Sequence, residues 1–245
     1  MTLLTEATDV FAATATGGRS AVAFLARYIE GAAKIFTSAH AKAVDDVLAA
    51  LSDEGWHLSV AAMVDDQAAC EPAAFATGFA HDVDVAGVFE APSLGAAVAG
   101  TVRLERAGWS RRLATEWLIG PREFAAVHGK GPAIDRPWGF IALWEWNDAW
   151  AAASAAVRRD YDAECDVAFA ADLALNVNIA GRHRLDWASS WHHLGVWEAA
   201  APETVDAAMR EHEHAADFKF TTSRHYIGLR RPLAELIAVP SGRDR

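Results

Sequence analysis

One internal repetition constrains this chain more than any other feature. Gly87-Val88-Phe89-Glu90-Ala91 recurs as Gly195-Val196-Trp197-Glu198-Ala199, a displacement of 108. The same displacement carries Ile119-Gly120 onto Ile227-Gly228. Without gaps, 9 of the 34 positions from 87 to 120 match. Abundant alanine inflates such a score, but the Gly-Val-aromatic-Glu-Ala blocks and the Ile-Gly pairs are more than alanine matches. A fixed displacement of this size marks a supersecondary unit used twice. The 245 residues therefore read as two related halves.

Each half carries the same element pattern. Residues 83–90 alternate like a strand, 92–108 read as a helix, and 113–119 form a second strand ending at the turn signal Gly120-Pro121. In the second copy, 191–198 and 220–228 are the strands and 202–218 the helix, with Pro202 suited to its first turn. Upstream, 139–146 is an apolar strand and 148–161 a helix that Asn147 or Asp148 can cap. The second half reads β-α-β-β-α-β, the ferredoxin-like order. The first half opens less clearly, with a helix at 39–51 and a strand at 56–64. The expected division is an arm at 1–20, a first repeat at 21–124, a linker at 125–137, a second repeat at 138–232 and a tail at 233–245. The fold class expected is α+β: tandem ferredoxin-like repeats forming an α/β barrel with antiparallel sheets.

Composition removes several function classes. The chain is 52% hydrophobic and 22% charged, the balance of a globular protein. A net charge of −11 with no extended basic patch argues against nucleic acid. No uncharged apolar run reaches membrane-spanning length, and the N-terminus lacks a secretory pattern. Cys70 and Cys165 form no CxxC, so they read as reduced thiols of a cytoplasmic protein. GxGxxG, P-loop, HExxH and GxSxG patterns are all missing. The aromatic and imidazole residues concentrate in the second half. Seven of ten Trp fall between 138 and 197, and six of ten His between 183 and 225.

Arg136-Pro137-Trp138-Gly139-Phe140 through Trp144-Glu145-Trp146 resembles the opening strand of the C-terminal half in the chlorite dismutase and coproheme decarboxylase superfamily. Residues 191–199 resemble a later strand of that family, 117–124 the close of its first repeat, and Tyr226-Ile227-Gly228-Leu229-Arg230 its terminal motif. The resemblance implies a tandem ferredoxin-like fold that assembles as a homo-oligomer. It also implies haem or an iron porphyrin bound in the C-terminal half. The function it implies is a haem-dependent oxidoreductase acting on a small oxidant or a porphyrin. The family's axial His stands roughly 15 residues after the Glu-Trp pair, and counting from Trp146 reaches Tyr161. No His lies between His128 and His183.

Tyr161 is thus the iron ligand expected by position, since a phenolate can hold ferric haem. His212 is the alternative by pattern. It shares a helical face with Val205, Ala208, Met209 and Ala216. Trp146 and His193 are expected to line the cofactor pocket; of the adjacent His192 and His193, only one can face it. Arg182 and His183, with Arg184 beside them, are expected as the distal groups, the arginine steadying a developing anion and the imidazole moving protons. His225 is placed across the pocket from His193 or Arg182. Two other readings stay open. One is a cofactor-free small-molecule enzyme (a cyclase, isomerase or monooxygenase) on the same scaffold. The other is a non-catalytic binding or assembly protein whose Trp residues bury an interface.

Overall fold

The computed structural model describes residues 18–65, 70–215 and 217–238. The expected arm lies almost wholly outside them. In chain order come β1 (Ser20–Tyr28), α1 (Ser38–Asp53), α2 (Val60–Val64), β2 (Ala73–Ala76), β3 (Val85–Ala91), α3 (Leu94–Ala107), α4 (Trp109–Arg112) and β4 (Leu113–Phe124). Then come β5 (Trp138–Trp146), α5 (Asp148–Ala152), α6 (Ala155–Ala174), β6 (Asn178–Arg184) and β7 (His193–Ala199). Last are α7 (Pro202–His214), α8 (Asp217–Phe220), β8 (Thr221–Pro232) and α9 (Leu233–Leu236). The class is α+β, and the described strand pairings are antiparallel.

The repeat holds at the level of whole elements. A shift of 108 carries β3 onto β7 and β4 onto β8, end to end. The opening strands β1 and β5 are both nine residues long but 118 apart (138 − 20). Their registers prove them equivalent: Ser20 pairs with Ala91 as Trp138 pairs with Ala199. The first half is ten residues longer before its third strand, so ungapped matching could not reveal β1.

Two compact units result, one of residues 18–121 with 226 onward, the other of residues 122–225. In the first, β1 lies between β3 and β4, and β2 joins β3 to Leu229–Pro232 of β8. Its core is aromatic. Phe24 is fully buried, and its ring meets Phe89, Trp109 and Trp117 at 5.1–5.6 Å. Gly87 is required beneath that ring, because a Cβ there would sit 2.4 Å from Phe24 Cζ. Helix α1 adds Val44, Leu48 and Leu51, one face at i, i+4 and i+7. Leu233, Leu236 and Ile237 join the same core, so the chain after Pro232 is not all tail.

The second unit pairs β5 with β7, β7 with β6, and β6 with Arg122 and Phe124 of β4. Phe140, Ala142, Ile179 and Trp197 face helices α6 and α7, packing with Leu173, Val205 and Ala208.

Two local expectations are corrected. Residues 56–64 do not form a strand: Ser59 accepts a hydrogen bond from Ala62 N at 3.2 Å and caps helix α2. Only His57 bridges to Glu90. Alternation over so short an apolar run does not separate a strand from a capped turn of helix. The helix expected at 148–161 is two helices, because Ala153 is extended (ψ 139°) and Ser154 caps α6 through Val157 N. Residues 125–137 follow a β4 that runs on to Phe124, and they are tied to the end of α6. Arg136 Nε donates to Asn176 O at 2.8 Å, and Asn176 Nδ2 donates to Pro132 O at 3.0 Å. Asn176 can serve as this hub because Asn tolerates its left-handed backbone (φ 61°).

Of the two caps the sequence offered, Asn147 is the one used. Its Oδ1 accepts from Ala149 N and Trp150 N at 2.9 and 3.2 Å, and its Nδ2 donates to Lys219 O. Asn147→Ala is expected to cost about 0.5–2 kcal/mol of stability, read as a lower urea midpoint.

Candidate functional site

The second unit gathers its polar chemistry where β6, β7, the end of β4 and α6 meet. A bulge between Ile179 and Arg182 sets the register, leaving Arg182 opposite Gly195 and Arg184 opposite His193. Gly181 sits at φ 88°, and a Cβ there would lie 2.3 Å from Phe124 O. Only glycine lets the two strands approach so closely.

Arg182 is held on two sides. Its Nε donates to Glu123 Oε2 at 2.7 Å, and its guanidinium carbon stands 4.0 Å from the centre of the Phe124 ring. Glu123 Oε2 also lies 3.5 Å from His193 Nε2. The His193 ring stacks on Trp144 at 5.3 Å and meets Trp146 edge-on at 5.6 Å. His193 is 8% exposed, and its Nδ1 has no hydrogen-bond partner. Burial pushes its pKa down to about 3, with the charge of Arg182 adding to the effect. It is therefore a neutral imidazole over the working range and no proton carrier there.

Asp166 on α6 differs. Burial raises its pKa, the neighbouring Asp162 raises it further, and Arg182 opposes both. A carboxyl group with a raised pKa in the field of a cation is the group here suited to acid–base work.

The structure places the expected residues as follows. Tyr161, Trp146, His193 and Arg182 belong to one neighbourhood, because Trp146 touches both Tyr161 (5.9 Å) and His193. His183 does not join them. It is 1% exposed and pairs with Leu194 and Arg122, on the strand face opposite Arg182. Arg184 has its guanidinium occupied: Nε and Nη2 donate to Asp186 at 3.0–3.2 Å. His212 Nε2 lies 2.8 Å from the fully buried Asp172, and its ring packs on Trp197, so it ties α7 to α6. His225 packs beside Phe140 and Phe218 at 5.1 and 6.2 Å. Of the adjacent pair, His193 takes the helix side, while His192 Nδ1 accepts from Trp146 N at 3.0 Å.

Glu123, Phe124 and Asp166 were not foreseen. Glu123 and Phe124 fell at the end of the first repeat, beside the expected linker, and Asp166 was one acid among several on a charged helix. The signal available was the basic Arg182-His183-Arg184 run, which needs an acidic partner from elsewhere once it is half-buried.

Haem was implied by resemblance, and the donors can be tested for it. An iron ligand must open onto a slot of porphyrin width. Tyr161 is 4% exposed and enclosed edge-on by Trp146, Trp150 and Phe220 at 5.2–5.9 Å. His193 Nδ1 is sealed, and His212 Nε2 faces Asp172. The sheet face beneath is packed by Phe140, Trp197, Leu173 and Phe169. These residues do not fit a protein-ligated haem iron.

Among the described residues no helix is long and apolar enough to cross a membrane. Neither a protein-family model nor a curated protein sequence matches the chain. Solved structures do. Chlorite dismutase from Candidatus Nitrospira defluvii in complex with imidazole is similar at 13% identity and a TM-score of 0.64, over 91% of this chain and 94% of that one. A mutant of the same enzyme in complex with cyanide is similar at 12% identity and a TM-score of 0.68, over the same shares of both chains. Another of its mutants aligns at 12% identity and a TM-score of 0.67, over 90% and 94%. The likeness over nine-tenths of both chains gives this chain the chlorite dismutase fold.

Proposed function

We propose that the second unit is an acid–base site for a small apolar molecule that carries an oxyanion, and that it works without an iron held by the protein. The observation that carries this reading is Arg182, pinned by Glu123 and Phe124 while Asp166 shares its field. Arg182 binds the oxyanion. Asp166 gives a proton to, or takes one from, the atom beside it. Neutral His193 and the Trp144 and Trp146 rings around it supply the apolar wall.

The charge balance makes this testable. A second negative charge beside Asp166 disfavours its carboxylate, so anion binding takes up a proton. Burial and Asp162 already raise the pKa of Asp166. Affinity therefore falls as pH rises through that raised pKa, by at most about tenfold per unit. The groups facing Asp166 are Asp162 on its own helix and Arg182 on β6. Calorimetry with benzenesulfonate, ionised at every pH used, in buffers of different ionisation enthalpy should register this uptake. Asp166→Asn should bind with no proton uptake and a flat pH profile. A variant profile identical to that of the parent protein would remove Asp166 from the mechanism.

A second reading, a haem-dependent oxidoreductase acting on a small oxidant or a porphyrin, draws its support from the likeness to chlorite dismutases and not from the enclosed Tyr161. It requires an iron–phenolate absorption band on hemin addition that disappears in Tyr161→Phe.

A further inference from the structure

The two arginines of β6 differ in one respect. Arg184 spends its fork on Asp186, both carboxylate oxygens accepting from its Nε and Nη2. Among the described residues, the Arg182 guanidinium donates through Nε to a single oxygen of Glu123. Phe124 covers one face of its guanidinium at 4.0 Å. With Nε taken and one face covered, the edge bearing Nη1 and Nη2 is what remains. The side chain as a whole is 35% exposed. Two parallel N–H groups on one edge match two oxygens on one atom, the geometry that Asp186 already satisfies for Arg184.

We infer that Glu123 is a positioning residue that turns the Nη edge of Arg182 outward, so the site selects anions presenting two oxygens on one atom, such as carboxylates, sulfonates and two-oxygen oxoanions. This rests on the reading of Arg182 as the anion-binding group. Glu123 touches no substrate in this account. It acts through Arg182, and its Oε2 also lies 3.5 Å from His193 Nε2.

The inference separates orientation from charge. Removing the Glu123 carboxylate leaves the site more positive, so every anion gains. Removing the acceptor lets Arg182 rotate, so only two-oxygen anions lose their advantage. Affinities of the full-length protein for benzoate and for bromide, a single-point anion, give a selectivity ratio. Glu123→Ala should lower that ratio about tenfold or more while bromide binds as well as or better than before. Glu123→Gln keeps an acceptor for Nε and should preserve the ratio, although both anions bind more tightly. Arg182→Ala should lose both anions. A parental ratio in Glu123→Ala overturns the positioning role while leaving Arg182 as the anion site. Unchanged binding of both anions by Arg182→Ala overturns the reading beneath it. Thermal melts of the three variants, expected to match the parent within a few degrees, keep misfolding apart from either outcome.

Discussion

Arg182→Ala is expected to weaken benzenesulfonate binding by roughly 30- to 150-fold. Truncating one partner of a hydrogen-bonded charge pair costs about 2–5 kcal/mol. Arg182 is 35% exposed, which places it at the screened, lower end, about 2–3 kcal/mol. Arg184→Ala serves as the internal comparison, because its fork is already filled by Asp186. It should change affinity by less than about threefold, the scale of a screened rim charge. Arg182→Lys should not rescue. A lysine ammonium offers no Nε to Glu123 and no paired edge to the ligand. Equal losses in the two alanine variants would mean that the cluster attracts anions only through its general field.

Phe24→Ala should be the most damaging core substitution, at about 3–5 kcal/mol. Phe24 is fully buried, and its ring is the common neighbour of Phe89, Trp109 and Trp117. The duplication shows why this position matters. Its equivalent in the second unit is Ala142, which lies opposite Gly195 as Phe24 lies opposite Gly87. There, Trp144 and Trp197 lean over the glycine instead, their nearest atoms 3.4 and 3.9 Å from a Cβ built on Gly195. The first unit has no such substitute, so the cavity cannot collapse cheaply. Urea unfolding should show a lower midpoint with an unchanged slope. A loss of less than about 1 kcal/mol would mean that the neighbouring rings close the gap, contrary to this packing.

The duplication was legible because β3, α3 and β4 keep a constant distance from their second copies. The strand β1 was not, because ten extra residues in the first half break that constancy. Residues 148–161 read as one helix, although Ser154 stands within them. As an N-cap it instead offers Val157 N an acceptor and starts a new helix. In the site, Arg182 stood out within a basic run. The partners that decide its chemistry are far away in sequence: Glu123 is 59 residues distant. No local pattern reports such a pairing. His183 was predicted to work beside Arg182, yet adjacent residues on a strand face opposite ways, and His183 packs on the other face. Tyr161 was located by counting, and its neighbourhood was correct. Its enclosure by Trp146, Trp150 and Phe220 depends on α8 and β5 arriving from both sides, which counting along a helix cannot foresee.

Calorimetric titration of iron-free protein with benzenesulfonate distinguishes an iron-independent anion site from a haem site. Saturable binding of about one anion per chain, with proton uptake and no change on adding hemin, is the expected result. Binding that occurs only after hemin is added would contradict it.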